Sequence, residues 1–205
     1  MATLFVSDLH LDNARPEVIK YFLNYLKSLN SDIESLYILG DFVEYWVGDD
    51  DPAEGLTDLF AEIRRRSKMH DIYFMHGNRD FMMSEDFCKK LGMKLIPDPS
   101  IISLYGRKVL LMHGDTLCTD DHAYQDFRKL VRSVSWQKEV LKKSLEERIM
   151  LAKELRQKSW ERRKKREERK EKKEERREKR EEKREKKKKR KDKKKKNKKK
   201  QKKKK

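Results

Sequence analysis

The chain has 205 residues, 45% of them charged and 35% hydrophobic, and a formal net charge of +18. The excess is local: residues 161–205 hold 32 Lys and Arg against 11 Asp and Glu, which leaves the first 160 residues 23 and 26 and slightly acidic. This excludes a uniformly basic nucleic-acid-binding domain and separates a body large enough for one core from a solvated, charged extension.

In chain order, residues 3–6 are a short apolar run that stops at Ser7-Asp8, which predicts a buried strand. Pro16 opens a predicted helix, with Val18, Ile19, Phe22, Leu23, Leu26 and Leu29 at helical spacing. Residues 36–39 predict a second strand, ending at Gly40-Asp41, and residues 56–66 a second helix. Residues 72–75 predict a third strand before His76-Gly77-Asn78, and residues 84–91 a helix closed by Gly92. Residues 101–104 and 109–112, around a turn at Gly106, predict a hairpin or adjacent strands. Strands alternating with helices predict a layered α/β fold. From Ala123 to Trp160 an apolar stripe of Tyr124, Phe127, Val131, Val140, Leu141, Leu145, Ile149 and Leu155 runs among charges. Such an amphipathic stretch packs on its own core, caps a site, binds a partner or lies on a membrane surface.

The polar motifs sit where the predicted strands end. Asp8, Asp41, Asn78 and His113 each follow a strand, and ligand-binding groups of open α/β sheets collect at strand carboxyl ends. Asp, His and Asn side chains suit divalent metals such as Mn²⁺, Fe²⁺ or Zn²⁺. Two such ions ~3.5–4 Å apart polarise a phosphoryl oxygen and activate water. Asp41 is the natural bridge, because a carboxylate has two oxygens to share. Asp8 and His10, two apart on an extended segment, are expected to hold one metal, and Asn78 with His113 the other. Arg79 is placed to fork onto a phosphate.

Five stretches carry a resemblance. They are residues 2–11 through Asp8-Leu9-His10, residues 36–41 through Gly40-Asp41, residues 48–52, His76-Gly77-Asn78-Arg79-Asp80-Phe81, and residues 112–121 from Met112-His113-Gly114-Asp115 to Cys118-Thr119-Asp120-Asp121. Over residues 1 to about 162 the chain resembles the calcineurin-like metallophosphoesterases. Arg79, where most of these carry His, is distinctive for the branch acting on UDP-2,3-diacylglucosamine. The resemblance implies a layered α/β sandwich with a helical lid, and two Mn²⁺ per site. It implies attack of water on the α-phosphorus to give UMP and 2,3-diacylglucosamine 1-phosphate, a step of lipid A biosynthesis.

By position, the resemblance makes Asp8, His10, Asp41, Asn78 and His113 metal ligands. Asp41, Asn78, Arg79 and His113 become the catalytic set, and Asn78, Arg79, Asp121 and Ser159 substrate contacts. Amphipathic helices over the site would hold the acyl chains. The expected segments are a core at 1–122, a helical lid at 123–160 and a tail at 161–205, with the core C-terminally truncated. The Gly-His-x-His that supplies two further ligands in these proteins is absent, since the five histidines are His10, His70, His76, His113 and His122. Each metal then keeps about three protein ligands, and an open sheet edge is expected. His76 is expected to be structural, and His70 and His122 to lie on the surface.

Cys88 and Cys118 fit neither a disulfide framework nor a CxxC metal site, and free thiols fit a reducing compartment. No apolar run approaches the ~20 residues that span a bilayer, and no signal peptide is read at the N-terminus. The expected location is cytoplasmic, peripheral on the cytosolic face of the inner membrane. Residues 161–191 mix Glu with Lys and Arg at i,i+4 spacing, which permits a solvated helix. The nearly pure Lys stretch from Lys193 is expected to be disordered. Nucleic acid is expected as a partner only through non-specific attraction to this tail, which has no aromatic residue for base stacking. The bland alternative is a low-complexity extension with no partner, since Lys, Arg and Glu are all encodable by purine-only codons. Three readings stand: a lipid A pathway hydrolase, a module that binds metal or nucleotide without turnover, and a tail-driven binder of nucleic acid or anionic membrane.

Overall fold

The structure is a computed structural model. It describes the backbone of residues 2–202 and the side chains of residues 2–180 other than 163, 166 and 178. The last tail residues, 203–205, lie outside the described residues. The chain divides into two compact units, Met1–Ala152 and Lys153–Lys205.

In the first unit β1 (Ala2–Val6), α1 (Pro16–Ser28), β2 (Ile33–Leu39), α2 (Thr57–Arg66), β3 (Asp71–Met75), α3 (Glu85–Lys90) and β4 (Met93–Ile96) alternate along the chain. The four strands pair in parallel in the order β1-β2-β3-β4. Alternation along each strand sends side chains to two faces. Leu36, Ile38, Ile72 and Phe74 join the main core with Ile19, Phe22 and Leu26 of α1 and Leu59 and Ile63 of α2. Tyr37 and Met75 face the other way, onto a second antiparallel sheet of β5 (Ser100–Leu104) and β6 (Arg107–Leu111). On that second face Phe5, Tyr37 and Tyr73 stack at 5.2 and 4.4 Å, with the Lys94 ammonium 5.3 Å from the Tyr73 ring. These four residues are register partners across β1 to β4.

The hairpin turn uses positive φ at both Tyr105 (49°) and Gly106 (77°), the backbone twist that two-residue hairpins favour. Sequence reasoning missed β4, because Met-Lys-Leu-Ile is too short and too interrupted to read as a strand. His70, expected on the surface, is buried, with Nδ1 2.8 Å from the Ile33 carbonyl at the start of β2. The strand carbonyl gives Nδ1 a partner inside the fold, where exposure was expected. His122 is exposed, as its polarity suggested.

The stretch that reads as continuously helical from Ala123 is broken twice. The structure has α4 (His122–Val131), α5 (Val134–Leu141) and α6 (Leu145–Lys202). Ser133 caps α5 through the Trp136 N–H. Ser144 caps α6 reciprocally: its hydroxyl accepts from Glu147 N at 3.2 Å, and its own N–H donates to Glu147 Oε2 at 2.9 Å, a capping box. The first turns of α6 are held by buried Arg148, which donates to the Val47 carbonyl at 2.7 Å and forks onto Asp50.

In the second unit the described side chains are almost all exposed. Lys179 pairs with Glu175 one turn earlier. The backbone stays helical to Lys202, so residues 193–202 are helical where disorder was expected. Lysine's unbranched side chain loses little rotamer freedom in a helix, which offsets part of the like-charge repulsion. No helix among the described residues is long and apolar enough to cross a membrane.

Candidate metal centre

The loops that leave β1, β2, β3 and β6 bring their polar residues together. Asp8 N donates to the Gly40 carbonyl and His10 N to the Asp41 carbonyl, at 3.1 and 2.9 Å, which lays the first loop along the second. Asp8, His10 and Asp41 have φ of 55°, 47° and 53°. The expected extended segment at Asp8 and His10 is therefore corrected: both lie in the left-handed region, uncommon for non-glycine residues. The hydrogen bonds to the β2 loop hold them there. Such strain collects where side-chain direction matters more than backbone comfort.

Asp8, Asp41 and His113 each offer a ligand atom within 4.8 Å of the others. Asp41 is buried, and its two oxygens face different histidines. His10 Nε2 lies 3.7 Å from Oδ2, and His113 Nε2 lies 3.7 Å from Oδ1. The His113 ring is oriented by its other nitrogen, 2.9 Å from the Leu39 carbonyl. A carbonyl only accepts, so Nδ1 carries a proton and Nε2 is the atom turned toward Asp41. His10 Nδ1 is buried without a hydrogen bond and lies 3.6 Å from Glu44 Oε2. Three ligand-type side chains within 4.8 Å, left-handed backbone at three of the loop residues and two imidazoles facing one carboxylate fit a divalent cation. Space is tight: a Cβ on Gly77 would collide with the Asp41 backbone nitrogen and carboxylate, and one on Gly40 would stand 2.6 Å from His113 Nδ1.

Asn78 is exposed at the tip of the turn after β3, and Arg79 follows it, half-buried. Arg79 N donates to Asp41 Oδ1 at 2.9 Å, its carbonyl accepts from Trp46 N at 3.0 Å, and its guanidinium lies 3.9 Å from Glu44. The turn is pinned by Asp80, wholly buried, whose carboxylate accepts from Gly77 N and Phe42 N, both at 2.7 Å. Burial pushes the Asp80 carboxyl up to about 7, with the nearby Asp41 charge adding and the two N–H donors opposing. His76 Nε2 is bonded to the Met83 carbonyl at 2.7 Å, the structural role expected of it.

Asp121 caps α4, accepting from Tyr124 N at 3.1 Å, and Ser159 is an exposed residue of the second unit. The structure thus gathers Asp8, His10, Asp41, Arg79 and His113, with Asn78 on the adjoining turn. Sequence reasoning placed Asp80 and Asp115 inside the motifs without giving them a role, and missed Glu44, Asp98, Arg128 and Arg132. The Asp115 side chain is nearly inaccessible, and burial alone would raise its carboxyl. Hydrogen bonds from Arg128 Nε at 2.7 Å and Tyr124 OH at 2.8 Å, with the Arg128 and Arg132 charges, hold it below the ordinary range. The available signal was the i,i+4,i+8 spacing of Tyr124, Arg128 and Arg132 on one helix face.

The family model of calcineurin-like phosphoesterases matches residues 1–188. Among curated relatives, a UDP-2,3-diacylglucosamine hydrolase of Marinobacter nauticus is 46% identical over 158 residues, covering 77% of this chain and 65% of the relative. One from Stenotrophomonas maltophilia is 44% identical over 163 residues, covering 79% and 66%. The chain therefore spans about two thirds of the length of these relatives. Among solved structures, the Pseudomonas putida nuclease MPE aligns over 48% of each chain at 26% identity with a TM-score of 0.38. The loops that converge on Asp41 lie within the region matched by the family model, and the chain belongs to the calcineurin-like phosphoesterase family.

Proposed function

We propose that this chain hydrolyses the pyrophosphate bond of UDP-2,3-diacylglucosamine to UMP and 2,3-diacylglucosamine 1-phosphate in lipid A biosynthesis, with Mn²⁺ as its metal. The observation that carries the reading is the buried Asp41 carboxylate, with one imidazole 3.7 Å from each oxygen. Relatives named for this hydrolysis, at 44–46% identity, support the substrate. Asp8, His10, Asp41, Asn78 and His113 would hold the metals, with Asp41 shared between them. When bound, a divalent pair supplies Lewis-acid polarisation of a phosphoryl oxygen and a lowered pKa for water.

The chain's own groups do the rest. The Leu39 carbonyl keeps the His113 proton on Nδ1, so Nε2 stays available at the site. Asp41 Oδ1 holds the Arg79 backbone, which keeps that guanidinium beside the site to receive a phosphate. Asn78 and Asp121 are proposed as substrate contacts. Exposed Leu117, Leu130, Val134, Leu141 and Met150 give the first unit apolar surface for acyl chains, and the protein is assigned to the cytosolic face of the inner membrane. In ¹⁸O-labelled water the label is expected in UMP; label in the sugar phosphate instead would refute attack at the α-phosphorus.

A second reading concerns the tail alone. Its 32 basic and 11 acidic residues carry no apolar face and no aromatic ring beyond Trp160. Its attraction to a polyanionic surface, including the anionic inner leaflet, is electrostatic and falls steeply with salt. Vesicle binding that survives deletion of residues 161–205 would contradict it.

A further inference from the structure

Helix α4 reaches two of the four loops that carry ligand-type residues. Arg128 donates from Nη2 to Asp98 Oδ2 at 3.0 Å, and the other oxygen of Asp98 accepts the His113 backbone N–H at 3.2 Å. The same guanidinium donates from Nε to Asp115 Oδ2 at 2.7 Å, two residues past His113. Gln125 adds a bond to the Asp115 carbonyl at 2.9 Å. One turn beyond Arg128, Arg132 donates to the Gly77 carbonyl at 2.8 Å, immediately before Asn78. The Asp98 and Asp115 carboxylates are nearly inaccessible, and the Arg128 side chain is only 17% exposed. These are partly buried, charge-assisted bonds rather than surface pairs.

The His113 ring is thus fixed from two directions: Leu39 holds its Nδ1, and Asp98 holds its backbone. Asp98 is in turn held by Arg128. We propose that Arg128 and Asp98 are positioning residues for His113, so that the seating of α4 on the 113–115 loop sets where the His113 imidazole lies. The inference rests on the proposed role of His113 as a metal ligand, but the geometry it concerns exists without the metal. If α4 seating and metal binding favour the same loop arrangement, each strengthens the other by the same factor. Groups that orient a ligand from outside the coordination shell change metal affinity by about 10- to 100-fold when lost.

The test uses the full chain with Arg128→Ala, Arg128→Lys, Asp98→Asn and, as control, Lys129→Ala, whose side chain is exposed and lies 4.0 Å from Asp126. Two quantities are read: hydrogen exchange of the His113 amide and the Kd for Mn²⁺. Arg128→Ala is expected to speed His113 exchange and weaken Mn²⁺ by about 10-fold or more. Arg128→Lys, unable to fork onto both carboxylates, and Asp98→Asn are expected to fall between it and the parent. Lys129→Ala should match the parent. Should Arg128→Ala not fold, the two conservative variants decide. His113 exchange unchanged in the variants overturns the inference, whatever the metal affinity does. A parent that binds no Mn²⁺ would refute the metal reading instead, and faster His113 exchange would still support the positioning role.

Discussion

At Asp41 one side chain meets four demands: its oxygens face His10 and His113, Oδ1 also accepts the Arg79 N–H, and Gly77 leaves room for it. A buried carboxylate between two histidines is costly without a cation to share, which is why the metal reading centres on it. Asp80 does a different job a few residues away. It joins the turn at Gly77 to the Asp41-Phe42 loop by accepting two buried backbone N–H groups. Asp80→Ala leaves both unsatisfied, and a buried donor left unpaired costs about 1–3 kcal/mol. The variant is expected to lose about 2–4 kcal/mol of stability in urea unfolding; a loss below about 1 kcal/mol would contradict the pinning role. The ligand-type residues were legible in the sequence because each sits just past an apolar strand run, in a short motif. Glu44, Asp98 and Arg128 were not, because their partners lie many residues away and a lone carboxylate or guanidinium has no local pattern.

At the scale of elements, α1 and α2 are tied by one buried guanidinium. Arg66 donates to the Leu29 and Lys27 carbonyls at the end of α1 and to Glu62 one turn back on α2. Those carbonyls are the orphan acceptors of a helix terminus. Hydrogen bonds from Arg65 foremost, and then Arg66, hold the Glu62 carboxyl at about 2, below its ordinary 4.5. A carboxyl depressed in the folded state stabilises it fully above the unfolded value, and that contribution fades as pH falls from 4.5 toward 2. The melting-temperature gap between parent and Glu62→Gln is therefore expected to be constant above about pH 5.5 and to narrow steadily below 4.5. A gap that widens on acidification would reverse the assignment. The long, regular elements were legible: α1 follows its apolar spacing from Pro16, and α2 and β3 are displaced by no more than one residue. The breaks at Ser133 and Ser144 were masked by apolar residues that continue among the charges on both sides of each cap, and only the Ser-x-x-Glu box at Ser144 marked one of them.

For the whole molecule, the parallel sheet supplies three of the converging loops and the β5–β6 hairpin the fourth, and α4 closes on two of them through Arg128 and Arg132. The layered α/β arrangement was readable from the alternation of elements. The packing of the β5–β6 hairpin against Tyr37 and Met75 was not, because it depends on which face each strand turns to its neighbour. The tail's charge was plain in the composition, whereas its continuity with α6 was not, since nothing in a Lys-rich run marks where a helix ends. The measurement that bears most directly on the account is UMP release from UDP-2,3-diacylglucosamine by the full chain, with Mn²⁺ or with chelator, beside Asp41→Ala. The account predicts release that needs both Mn²⁺ and Asp41. Release no greater than that of Asp41→Ala, by a parent that still binds Mn²⁺, would contradict it and leave a module that holds metal without turning over this substrate.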